Sequence, residues 1–66
     1  MEYSILDVVV LTEDIPEDRL FAGMSGAVVD VYTEPIEAYE VEFCDSQGRT
    51  LALRALLPSQ LRRCNP

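Results

Sequence analysis

At 66 residues the chain is about half the length of a typical domain of ~100 to 150 residues, which leaves room for one small domain and excludes most enzyme architectures. Nearly half of it, 48%, is apolar, so it folds rather than staying disordered, around a core that is thin for lack of volume. Twelve acidic side chains against five basic ones give a net charge of −7, which repels phosphate and disfavours general binding to DNA or RNA.

Asp7-Val8-Val9-Val10-Leu11 is a β-branched run bounded by polar residues and reads as a first strand. Thr12 to Met24 fits no strand period. Pro16-Glu17-Asp18-Arg19-Leu20 has the makings of one helical turn, with proline at its start and acids in its first turn, inside a long and partly apolar loop. Ile15, Leu20 and Phe21 are expected to anchor that loop on the core, since each costs ~1.5 to 3 kcal/mol if left in water. Phe21 and Tyr32 are also the aromatics open to exposure.

Ala27-Val28-Val29-Asp30-Val31-Tyr32 is a second strand, entered through Gly26, where the backbone is expected to need a conformation that a Cβ forbids. Val28 and Val31 stand three apart, so both can face the core only if a bulge or sharp bend lies between them. Thr33 to Ala38 is a turn that Pro35 keeps out of the ladder. Tyr39-Glu40-Val41-Glu42-Phe43 alternates with period two, placing Tyr39 and Phe43 in the core and both glutamates on the outer face. A polar turn with Gly48 joins it to Thr50-Leu51-Ala52-Leu53-Arg54, making a hairpin. Leu57 to Arg62 suits a turn of 3₁₀ helix running into a short last strand, and Cys64-Asn65-Pro66 a frayed end.

Five short strands, a long first loop, a bent second strand and a terminal turn predict an all-β, five-stranded SH3-like barrel occupying residues 1–66, closed so as to hide its edges. Gly23-Met24-Ser25-Gly26-Ala27-Val28 resembles the glycine-x-x-glycine-x-valine arrangement of KOW and related translation-type SH3-like domains, with Ala22 and Met24 where those carry a basic residue. A fuller likeness covers nearly the whole chain. Leu6 to Thr12, Asp14-Ile15-Pro16, Gly23 to Val29, Ala38 to Phe43, Leu51-Ala52-Leu53 and Gln60-Leu61-Arg62 together resemble the short bacterial proteins of domain of unknown function 4926. That resemblance implies a small SH3-like fold and a bacterial, cytoplasmic setting, and it implies no activity. Families of this kind often consist of small partners encoded beside another short protein, which points to an antitoxin-like or immunity-like role.

The start of the chain has neither a basic region nor a long apolar run, and no stretch approaches the ~20 apolar residues that span a bilayer, so a cytoplasmic protein with no membrane contact is expected. Cys44 and Cys64 read as free thiols. The chain contains no histidine, so the usual activation of serine or cysteine nucleophiles is absent, and no phosphate-binding glycine loop is present. Glu13, Asp14, Glu17 and Asp18 crowd one loop without the spacing of a calcium site, and Glu40 and Glu42 on an outer face lack the cleft that paired catalytic carboxylates require. Neither enzymatic activity nor a cofactor or metal is expected.

What remains is charge. Residues 1–45 hold twelve carboxylates and one arginine, net −11, whereas residues 46–66 hold four arginines and no carboxylate, net +4. An acidic surface of Glu13, Asp14, Glu17, Asp18, Glu40 and Glu42, with Tyr32 beside it, suits a basic protein partner that it would steer and select. A second copy is another candidate, its Arg54, Arg62 and Arg63 meeting the acidic loop. The alternative is a nucleic-acid-associated, KOW-like barrel working through the C-terminal arginines.

Overall fold

The computed structural model describes residues 2–64; Asn65 and Pro66, read from sequence as part of a frayed end, lie outside them. Five antiparallel strands form one sheet: β1 (Val8–Leu11), β2 (Ser25–Tyr32), β3 (Ala38–Cys44), β4 (Thr50–Leu56) and β5 (Leu61–Arg63), in the spatial order β4-β3-β2-β1-β5. This is the all-β, SH3-like arrangement: the last strand returns to pair with the first, and a turn of 3₁₀ helix at Pro58–Gln60 leads into it. The expected closure that hides every edge is not reached: among the described residues β4 and β5 end the strand order and do not pair with each other, because β5 joins β1 instead. A second such turn, Pro16–Asp18, lies in the first loop and ends at Arg19 in a left-handed conformation.

The loop is fixed at its neck. Ile15 and Leu20 exchange main-chain hydrogen bonds of 2.8 and 3.1 Å, and both side chains are buried. Phe21 departs from its expected anchoring role and is 50% exposed, because the bridge closes one residue earlier and the chain has already turned outward.

β2 carries the bulge that the spacing of its valines demands. Val28 pairs with Val41 and Asp30 with Glu40, so Val29 is the extra residue; Val28 is fully buried and Val31 packs against the core from the same side. Gly26 serves differently from the expectation. Its φ is not positive; instead an added Cβ would lie 2.7 Å from Val41 Cγ1, 2.8 Å from the Glu42 carbonyl oxygen and 2.9 Å from Phe43 Cδ1. Close approach of β2 to β3, rather than an unusual dihedral, excludes a side chain there.

β3 holds its predicted alternation, with Tyr39, Val41 and Phe43 fully buried and Glu40 and Glu42 half-buried on the other side. Together with Val9, Leu11, Val28, Leu56 and Leu61 they make the core, each large side chain contributing ~1.5 to 3 kcal/mol on leaving water. The core also includes Tyr3, which lies ahead of any strand. Its ring meets that of Tyr39 edge to face at 5.2 Å, and the Arg63 guanidinium lies 5.2 Å from its centroid. The Tyr39 hydroxyl accepts the main-chain N–H of Glu2 at 2.9 Å and of Tyr3 at 3.2 Å, and donates to Glu37. Burial and that bond to Glu37 raise the Tyr39 pKa above its ordinary value.

Candidate functional site

The seven candidate residues fall into two groups on different parts of the molecule. Glu13, Asp14, Glu17 and Asp18 belong to the first loop, where most of them are engaged within the chain. Asp14 accepts the Ala22 N–H at 2.8 Å, closing the loop, and Glu13 accepts the side-chain amide of Gln60 at 3.2 Å. Asp18 takes the Arg54 guanidinium at 2.6 Å, with Glu17 at 3.5 Å. The hydrogen bond to Asp18 raises the Arg54 pKa further. Arg54 therefore pairs with carboxylates of its own chain.

Glu40, Glu42 and Tyr32 form the second group. Residues paired across an antiparallel ladder share a face, so the register maps the outer surface of the sheet directly. One row runs Val8 on β1, Ala27 on β2, Glu42 on β3 and Leu53 on β4; the next runs Asp30, Glu40 and Ala55. Arg54 lies between Leu53 and Ala55 on the opposite, core-facing side of β4, so the first-loop carboxylates that reach it are not part of this surface. Tyr32 donates its hydroxyl to Glu40 Oε1 at 2.9 Å, which raises the tyrosine pKa, and Thr50 donates to Glu42 at 2.5 Å.

Asp30 joins this group although its residue type alone did not single it out. The spacing of Val28 and Val31 calls for a bulge between them, and because the register puts it at Val29, Asp30 turns to the face that bears Glu40. Among the described residues, none of Asp30, Glu40 and Glu42 forms an ion pair with an arginine. Around them the exposed side chains are apolar, Val8 at 53% and Leu53 at 58%, with Val29 at 37% beside them. The surface is thus apolar ground carrying three uncompensated carboxylates.

The arginines are mostly engaged elsewhere. Arg49 binds Asp45 at 2.9 Å across the β3–β4 turn, and Arg63 donates to the Glu2 carbonyl at 2.6 Å while lying 3.8 Å from Asp7. Cys44 and Cys64 are both free and exposed. The described residues enclose no pocket, include no cluster of three or more metal-ligating side chains, and contain no helix long and apolar enough to cross a membrane.

No curated protein and no solved structure matches the chain significantly. The family model described as Domain of unknown function (DUF4926) matches residues 5–63, and with the five-stranded SH3-like arrangement now in view, the chain belongs to that family.

Proposed function

We propose that this protein is a small interaction module that binds a basic protein partner through the outer face of β2, β3 and β4, in the manner of an antitoxin or immunity protein. One observation carries the reading: Asp30 stands directly opposite Glu40, with Glu42 two residues further along β3, and no arginine of the chain neutralises them. Like charges opposite one another destabilise a sheet. A partner's arginine or lysine relieves that repulsion on binding, and the apolar side chains of Val8, Leu53 and Val29 supply the area that a charged patch alone lacks. The first-loop carboxylates are secondary in this reading, because Asp14 and Asp18 already hold the loop together. The sharpest form is a basic toxin or nuclease neutralised by this face. The nucleic-acid alternative has less to support it, since of the four C-terminal arginines Arg49, Arg54 and Arg63 each face a carboxylate of their own chain, which leaves Arg62 as the one without such a partner among the described residues.

The test is affinity capture from nuclease-treated lysate of the source cells at low and high salt, using the tagged protein alongside two variants. A basic protein held by the native chain and by Glu13→Gln/Glu17→Gln, and lost from Asp30→Asn/Glu40→Gln/Glu42→Gln, supports the proposal. Equal retention by the last variant, or recovery only of material that nuclease removes, overturns it.

A further inference from the structure

The carboxylate face runs without interruption to a free edge of the sheet. β4 ends the strand order and forms its main-chain ladder with β3 alone; on its other side no described residue bonds to its main chain. It is seven residues long, holds neither proline nor lysine, and presents Leu53 and Ala55 on the outer face, whereas the opposite edge, β5, has three residues of which two are arginines. Arg54, turned to the other face and held by Asp18, and the bulge at Leu51 confine pairing to the regular stretch Ala52 to Leu56, whose unpaired main chain is a template for another strand.

We propose, building on the acidic-face reading above, that the partner's contact segment is an extended basic strand that adds to the free edge of β4. Neighbouring strands lie about 4.8 Å apart, so a guest residue beside Ala55 sits two spacings, about 9.6 Å, from Glu40 in the same row. An arginine and a glutamate reaching toward each other close that gap, and the methyl group of Ala55 leaves the path between them open. The guest residue two positions away lies beside Leu53 and is apolar. The guest residue between those two lies beside Arg54, on the other face, and is uncharged, because Asp18 already holds the Arg54 guanidinium. The recognition pattern is therefore apolar, neutral polar, basic along three successive residues, a strand-addition mode in which main-chain bonds give affinity and alternate side chains give selectivity. A second copy fits this edge poorly: each chain carries −7, and antiparallel pairing of β4 with itself brings together like strands whose one charged residue is Arg54.

The probe is an acetylated octapeptide that repeats valine, threonine, arginine, threonine, titrated into the isotopically labelled full chain. A second peptide has proline for threonine, equally basic but unable to form a ladder. Binding of the first with slowed exchange at the β4 amides not bonded to β3, and weakening by about tenfold in Glu40→Gln and in Ala55→Arg, is the expected result. Circular dichroism of both variants verifies that they fold. Equal binding of the proline peptide at Glu40 and Glu42 with no β4 protection overturns strand addition and leaves the acidic-face reading standing. If neither peptide perturbs Asp30, Glu40 or Glu42, both readings fall. A peptide-free dimer in sedimentation with those β4 amides already protected assigns the edge to a second copy and overturns the proposal.

Discussion

Arg54 on β4 and Asp18 in the first loop meet at 2.6 Å across 36 residues of sequence, on the core-facing side of the sheet. With Glu17 at 3.5 Å, the pair ties the loop's helical turn to β4. In a double-mutant cycle of Arg54→Ala and Asp18→Asn, the double variant should lose no more stability than Arg54→Ala alone, and the amides of Asp18 and Arg19 should exchange faster in all three. The coupling should shrink at high salt, since both side chains are about one-third exposed.

Gly26 and Gly23 separate two reasons for requiring glycine. Gly26→Ala should cost about 1 to 3 kcal/mol by overpacking against Val41, Phe43 and the Glu42 carbonyl, and Val41→Ala should recover part of that loss. Gly23 has open space around its Cβ position but a φ of +95°, so Gly23→Ala should cost about 1 to 2 kcal/mol that no neighbouring truncation recovers. Urea unfolding of Gly26→Ala, Val41→Ala, the double variant Gly26→Ala/Val41→Ala and Gly23→Ala checks both.

Tyr39→Phe removes the acceptor of two main-chain N–H groups and should cost about 1 to 3 kcal/mol, loosening Glu2 and Tyr3 first. Burial raises the pKa of Tyr39 and of Tyr3 in the folded protein, so the neutral phenols favour folding. Their contribution is full below the unfolded tyrosine value of about 10 and is lost as pH rises through the higher folded values. Phenolate absorbance and circular dichroism should then change together in an alkaline titration, with Tyr39→Phe shifting the transition.

Asp45 titrates in the opposite sense. The Arg49 N–H, followed by that of Gln47, stabilises its carboxylate and lowers its pKa. The resulting stability is present above the unfolded carboxylate value and disappears as pH falls through the folded one. Acidification should release the Gln47 and Arg49 amides at the depressed Asp45 titration point, and Asp45→Ala should lower Tm and abolish that coupled step.

The strands were legible because their patterns are local. Period two along Tyr39 to Phe43 defines both faces of β3, and the three-residue gap between Val28 and Val31 foretells a bulge or bend between them, which the register puts at Val29. Tyr3 is not legible because nothing around it repeats; its burial comes from partners distant in sequence, Tyr39 and Arg63 among them. From composition the acidic surface reads as one body, because composition does not say which way a carboxylate turns. Register decides it, sending Glu40 and Glu42 outward with Asp30 while Arg54 draws Asp18 to the other side. Phe21 shows the same limit, since where a loop closes depends on a bridge between Ile15 and Leu20 rather than on hydrophobicity.

The bond from Arg63 to the Glu2 carbonyl, 2.6 Å long, brings the two ends of the fold within a single side chain's reach. Residues 2 and 63 therefore stand side by side in the fold. Joining residues 2 and 63 through a short flexible linker and cutting the exposed turn between Gln47 and Gly48 would leave every strand pairing in place. The new ends would emerge at the β3–β4 turn, next to the free edge of the sheet, so a fused segment could be delivered to that edge without crossing the core.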